Sequence, residues 1–238
     1  MKHEIIADKE HAAKLRHEFK YICAETTLSI VQSRVANMMH LDAHASAKAT
    51  YDIRSLYFDD IYKSCYRDNE SGTDPREKFR IRIYNGSADR ISLELKQKIR
   101  GKTRKLSCPL TQEQCRLLMH GELLPDSAAY PPLLQKFLVQ ARVRLLKPSV
   151  IVEYSRTPYI YRNGNVRVTL DRNISSSMDF EHFLDLEIPK RPITEAGTHI
   201  LEVKYDEFLP DPIHNALQVD KLRYTSFSKY YLCKKFSI

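Results

Sequence analysis

Between residues 78 and 84 the chain reads Lys78-Phe79-Arg80-Ile81-Arg82-Ile83-Tyr84, an alternation of cationic and apolar side chains. Successive side chains of a strand point to opposite faces. One face of this strand is therefore Lys, Arg, Arg and the other Phe, Ile, Ile. Leu93-Glu94-Leu95-Lys96-Gln97-Lys98 does the same, with Glu94, Lys96 and Lys98 on one face. Arg16-Glu18-Lys20, Val152-Tyr154-Arg156, Arg167-Thr169-Asp171 and Glu202-Lys204-Asp206 continue the theme. For any one strand, a solvated face of an ordinary antiparallel sheet explains the pattern. Repetition over six strands changes the weighing, because converging like charges repel unless an anion neutralises them. A closed barrel points one face of every strand at a common lumen. The few acids on these faces, Glu18, Glu94, Asp171 and Glu202, are placed to hold a divalent cation or to orient the Lys and Arg side chains.

The remaining punctuation gives a strand-rich chain. Strands are expected at Arg16–Cys23, Tyr51–Phe58, Lys78–Tyr84, Ile91–Ile99, Lys102–Cys108, Val150–Tyr161, Asn165–Leu170, Glu181–Ile188 and His199–Tyr205. Asn85-Gly86-Ser87-Ala88-Asp89 and Asn163-Gly164 are turn signals. Helices are expected from a Thr26 or Thr27 cap to Met39, around Ile61–Tyr66, from the capping box Thr111-Gln112-Glu113-Gln114 to His120, and over Pro132–Leu146. Two more close the chain, Pro212–Val219 and Tyr224–Phe236. The expected class is α+β, built on a large antiparallel sheet or barrel. Residues 1–14 form a polar N-terminal segment and 15–238 a single domain.

Composition narrows the partners. Among 238 residues, 38 are Lys or Arg and 30 Asp or Glu, a formal net charge of +8, which favours anionic ligands without choosing among them. Five cysteines are scattered without a CxxC pair, so neither a disulfide framework nor a zinc site is expected. Histidines show no metal-binding spacing. No secretory h-region and no apolar run of about 18–20 residues occurs, so a cytoplasmic protein without membrane insertion is expected. A nucleic-acid binder wants exposed aromatics among its basic residues; here the basic residues alternate with aliphatics, and nucleic acid is not expected as a partner. The 14 tyrosines are read as sheet packing, Tyr57, Tyr84 and Tyr205 especially. Lys102, Arg104 and Lys105 are read as a solvated basic strand, and Glu94 and Glu153 as ion-pair partners.

The segments Arg16–Tyr21 (RHEFKY), Ser55–Asp59 (SLYFD), Arg76–Tyr84 (REKFRIRIY), Leu93–Lys98 (LELKQK), Leu201–Tyr205 (LEVKY) and Ser226–Tyr230 (SFSKY) occur in this order. The set resembles the bacterial relatives of the vacuolar transporter chaperone (VTC) catalytic domain, a polyphosphate polymerase within the triphosphate tunnel metalloenzymes. The likeness spans about residues 15–236. It implies an antiparallel β-barrel tunnel flanked by helices, ATP and inorganic polyphosphate as ligands, and Mn²⁺ or Mg²⁺ as cofactor.

Carried over by position, the resemblance makes Arg80, Arg82 and Lys20 the grip on the terminal phosphates, with Lys229 contributed by a C-terminal helix. Arg16, Lys96, Lys98, Arg156, Arg167 and Lys204 become further phosphate contacts, and Glu202 the metal ligand. Two departures stand out. Tunnel triphosphatases open with Glu-x-Glu-x-Lys, whereas this chain has Arg16-His17-Glu18-Phe19-Lys20, which exchanges a metal ligand for a phosphate clamp and points to the polymerase branch. A second lysine that polymerases carry near the C-terminus is Ser226 here, with Arg223 one helical turn earlier to compensate. Three activities stay open: transfer of the ATP γ-phosphoryl group to a polyphosphate chain, hydrolysis of inorganic or nucleoside triphosphate, and polyphosphate binding without catalysis.

Overall fold

The computed structural model describes residues 14–43, 45, 49–219, 222–225 and 228–236, with the backbone only for Arg223. Eight long strands make the wall: β1 (His17–Ala24), β3 (Tyr51–Asp59), β4 (Arg76–Tyr84), β5 (Ser87–Ile99), β6 (Lys102–Leu110), β7 (Lys147–Tyr161), β8 (Val166–Ser177) and β10 (Thr198–Tyr205). Three two-residue strands, β2 (His40–Leu41), β9 (Arg191–Pro192) and β11 (Arg223–Tyr224), pair with β7, β8 and β1. Along the sheet the order is β11-β1-β10-β8-β7-β3-β4-β5-β6, every pair antiparallel.

The wall curls until its ends meet. Arg16, immediately before β1, exchanges two backbone hydrogen bonds with Thr103 of β6, each 2.8 Å. The Glu18 carboxylate reinforces the seam, accepting from Thr103 Oγ1 at 3.1 Å and Lys96 Nζ at 2.7 Å. The result is an antiparallel barrel enclosing a lumen.

Two tight hairpins make the curl possible. Asn85 and Gly86 join β4 to β5 with φ of 53° and 64°, and Arg100 and Gly101 join β5 to β6 with φ of 51° and 76°. Positive φ at both central residues is the primed turn whose twist matches the strands. Ser87, Ala88 and Asp89, expected in the turn, already belong to β5.

Helices cover the barrel on its apolar side. α1 (Glu25–Ala36) and α5 (Asp211–Ala216) pack on β1, β8 and β10 through Leu28, Val31, Val35, Val168, Leu201 and Ile213. Thr26 and Thr27 lie inside α1, whose N-cap is Ala24 without a side-chain cap. α3 (Gln112–Met119) and α4 (Pro132–Arg144) cover β3 to β6, where Phe79, Ile81 and Ile83 meet Leu118, Leu134 and Phe137. Phe137 sits edge-on to Phe58 at 4.9 Å and Phe79 at 5.2 Å. The Thr111 capping box is formed, with Gln114 N donating to Thr111 Oγ1 at 3.1 Å and Thr111 N to Gln114 Oε1 at 2.9 Å.

A third apolar cluster lies on the inner face. α6 (Lys229–Lys235) and α2 (Ser64–Glu70) bring Tyr230, Cys233 and Cys65 against Tyr57, Val150, Val152 and Ile200. α6 thus occupies the barrel interior where β7 begins. Its position is fixed by Asp59, which accepts a short hydrogen bond from the Tyr230 hydroxyl and caps α2 by accepting from Cys65 N at 2.9 Å.

Two expectations are corrected. Residues 181–188 form turns, because Arg54 on the outer face of β3 draws in the carbonyl oxygens of Phe183 (2.9 Å), Asp185 and Leu186 (3.0 Å) that a strand would give to a neighbour. The last helix begins at Lys229, capped by Ser228, while Arg223 lies on β11 opposite Ile22 at the sheet edge. Arg223 is therefore not one helical turn from position 226, and Ser226 lies outside the described residues. All five cysteines are buried. Among the described residues, no helix is long and apolar enough to cross a membrane.

Candidate anion-binding tunnel

The lumen has a volume of about 500 Å³, and its lining carries Arg16, Lys20, Arg80, Arg82, Lys96, Lys98, Arg156, Arg167, Lys204, Lys229 and Glu202 together. Period-two alternation and the outward burial of the aliphatic face aim the strand residues among these inward, while α6 carries Lys229 in. Phe79, Ile81 and Ile83 pack outward under α3 and α4, as their place on the opposite face requires.

The lumen organises itself around four carboxylates, each claimed by several cations. Glu94 receives Arg80 Nε at 2.8 Å and Lys105 Nζ at 2.9 Å, with Arg82 Nη1 at 3.6 Å. Asp171 takes a bidentate pair from Arg156, at 2.6 and 2.7 Å, and Lys229 Nζ at 2.6 Å. Glu18 pairs with Lys20 at short range, with Lys96, and with Lys204 at 3.8 Å. Glu202 pairs with Lys204 at short range, with Lys20 and Arg156 each 3.8 Å away.

These pairings decide the charge states. Burial pushes the Glu18 carboxyl up, but the ammonium groups of Lys20, Lys96 and Lys204 outweigh it and hold the group well below the usual carboxylate range. Burial acts likewise on Glu202, where Lys204 and Lys20 prevail over the nearby Glu18. Burial works against the Arg80 cation, yet Tyr57 and Glu94 raise its affinity for the proton. Lys96 goes the other way: burial, with Lys20 and Lys204 adding to it against Glu18, brings its amine down to about 7.

The other expected residues sit at the margins. Arg167 bonds Asp42 at 2.8 Å and the Tyr51 hydroxyl at 2.9 Å. Arg16 lies beside Asp206 at 2.9 Å, with a short bond to the Asn165 carbonyl. Lys98 is half-buried on β5 opposite Arg76. The backbone of Arg223 lies on β11, paired with Ile22 of β1.

The structure adds residues to the site. Lys105, read as part of a solvated strand, reaches Glu94 because β6 is the wall beside the seam. Tyr57 and Tyr84 line the lumen, and the Tyr57 hydroxyl accepts from Arg80 Nη1 at 2.8 Å. Arg76 and Lys78 also line it, and their place on the face of Arg80 and Arg82 was the available signal. Glu94 and Glu153 are ion-pair partners, the latter outside the lumen with Arg54 and Lys190.

Among the described residues, no three carboxylate, imidazole or thiol groups gather to form a metal cage. Glu18 and Glu202 nevertheless offer hard oxygen donors on paired strands, with Glu18 opposite Lys204 and Glu202 opposite Lys20. Such a donor set suits Mg²⁺ or Mn²⁺ shared with phosphate oxygens, since these ions are held through one or two carboxylates and a substrate.

An antiparallel sheet curled until its ends meet at one bridge, with an inward face of carboxylate-held cations, defines a tunnel-type α+β fold. The chain belongs to the VTC domain family, whose model matches residues 15–237. Its fold is similar to that of a candidate adenylate cyclase from Bacillus halodurans, at 14% identity over 86% of this chain and 87% of that one, with a TM-score of 0.51. HpAC1 from Hippeastrum, described as a candidate adenylyl cyclase with dominant triphosphatase activity, is 12% identical over 94% of this chain and 96% of that one, with a TM-score of 0.49. No curated protein matches the sequence.

Proposed function

We propose that the protein is a polyphosphate polymerase that moves the γ-phosphoryl group of ATP onto the end of a polyphosphate chain held in the tunnel. The observation that carries this reading is the inward face itself. Arg80, Arg82, Lys20 and Lys229 line one lumen of about 500 Å³, and the VTC family supplies the chemistry expected there. Arg80 and Arg82 orient the transferring group, with Lys20 facing it from β1 and Lys229 from α6. Phosphoryl transfer passes through a loose transition state, so positioning and charge neutralisation do most of the work. A terminal phosphate oxygen is already anionic near neutral pH, and no general base is required. Glu202, with Glu18 beside it, would hold Mn²⁺ or Mg²⁺, which when bound neutralises charge on the phosphate oxygens.

Arg16 at the position of a triphosphatase carboxylate supports transfer to phosphate over transfer to water. Capture of polyphosphate without turnover is the second reading, and it is supported by Glu202, whose oxygens are engaged by Lys204, Lys20 and Arg156. Incubation of the purified protein with ATP and Mn²⁺, followed by gel electrophoresis of the products, separates the two. A polyphosphate ladder is expected. Release of inorganic phosphate alone would indicate the hydrolase, and binding of polyphosphate without turnover the sensor.

A further inference from the structure

The lumen is not electrostatically uniform. Around Glu18, Glu94, Asp171 and Glu202 each cation has an acid, whereas Arg76, Lys78 and Lys98 have no carboxylate partner among the described residues. Register makes this costly. Arg76 stands directly opposite Lys98, and Lys78 opposite Lys96; like charges directly opposite on adjacent strands destabilise a sheet.

The acids in the vicinity are spent elsewhere. Glu77, between Arg76 and Lys78, belongs to the other face and bonds Gln97 at 3.1 Å and Lys136 at 3.0 Å. Asp74 acts on both Lys98 and Arg76 from the hairpin end, but its two oxygens accept the backbone N–H groups of Arg100 (2.9 Å) and Gly101 (2.7 Å). Lys78 Nζ is left with a neutral hydroxyl, Ser228 Oγ at 3.2 Å, and the face of Tyr230 at 4.8 Å. Arg76 donates to the Thr73 carbonyl at 2.8 Å.

We infer that Arg76, Lys78 and Lys98 form a separate subsite for the end of an inorganic polyphosphate chain, which can be filled while nucleotide occupies the acid-bearing part of the tunnel. This rests on the polymerase reading and specifies where its acceptor sits. No carboxylate among the described residues lies at ion-pair distance from the three cations, and Asp74, which acts on Arg76 and Lys98, is held by backbone donors, so the cluster favours an anion. The ligand is therefore a bare phosphate chain, recognised by charge. At about 3.3 Å per residue, Lys78 lies about 7 Å and Arg76 about 13 Å along β4 from Arg80, so the two groups can hold successive parts of the substrates. Burial, together with Lys96, Arg76 and Lys20 and against Cys65, pulls the Lys78 amine well below its ordinary value.

The test is a calorimetric titration of tripolyphosphate into protein saturated with a non-hydrolysable ATP analogue and Mn²⁺. Wild-type protein should show a further binding event, weakened about tenfold by Lys78→Met with Arg76→Gln, retained by Lys78→Arg, while affinity for the analogue stays within about twofold; if that double variant does not fold, Arg76→Gln alone repeats the comparison. Absence of the second event in saturated wild type, an equal loss of analogue affinity in the double variant, or an unchanged tripolyphosphate affinity would each overturn the subsite. Second-site binding without ATP turnover would leave the subsite standing and remove the polymerase reading. If the analogue does not bind, the same variants titrated without it test the subsite directly.

Discussion

The backbones of Arg16 and Thr103 exchange two hydrogen bonds of 2.8 Å, and this pair joins the first and last walls of the barrel. Few bonds hold the seam, so it is the place where the lumen can be opened with little damage elsewhere. Thr103→Pro deletes the backbone donor to Arg16 and the hydroxyl donor to Glu18 and is expected to cost about 1–3 kcal/mol of stability. Polyphosphate affinity should fall by more than that loss accounts for, since the wall that carries Lys105 is released. Urea denaturation and calorimetry on the same preparation check both halves, and an unchanged affinity would show that closure is irrelevant to binding.

Arg80→Ala removes a guanidinium but leaves Glu94 paired with Arg82 and Lys105. No buried carboxylate is stranded, so the loss should fall on the ligand. Triphosphate binding is expected to weaken by about 1.5–3 kcal/mol, the range for charge-assisted hydrogen bonds. Titration with unchanged affinity would take Arg80 out of the site.

Glu202→Gln separates a metal ligand from an ion-pair partner. If Glu202 holds the cation, the variant loses ATP-dependent synthesis while metal-free polyphosphate binding stays equal or tightens, because a repelling charge is gone. If Glu202 serves only Lys204 and Lys20, stability and binding should fall together. Product gels and metal-free titrations decide between them, with the first outcome expected.

Lys78 makes stability depend on pH. In the unfolded chain it titrates near its ordinary 10.5, while in the fold its value lies well below. Between the two, the unfolded chain binds the extra proton, so stability rises with pH across that window. Lys96 and Lys98 shift in the same direction. Lys20 and Lys229 shift upward, so their opposite contribution is lost only above 10.5. Ligand-free protein should therefore have a higher denaturation midpoint at pH 9 than at pH 7.5, and saturating polyphosphate should reverse that order.

Much of the site was legible because strand periodicity assigns faces. Arg80, Arg82, Lys96, Arg156 and Lys204 follow from alternation alone. The pairings do not, because they join strands far apart in sequence: Lys96 meets Glu18 from 78 positions away. Lys105 looked solvated for the same reason, as nothing local says that β6 lies beside the seam. The apolar content of residues 181–188 was real, and Phe183 is fully buried. Arg54, more than a hundred positions earlier, decides that those residues turn.

Most tunnel cations carry a covalently attached counter-ion of their own, and this has a kinetic consequence. A cation already beside a carboxylate projects little field beyond the mouth, whereas Arg76 and Lys98 project theirs. At physiological ionic strength the screening length is about 8 Å, and steering of charged partners is lost as salt rises. Added salt should therefore slow the capture of polyphosphate more than it hastens release, because the inner pairs are shielded from the bulk. The tunnel thus draws its ligand in from one region and retains it in another.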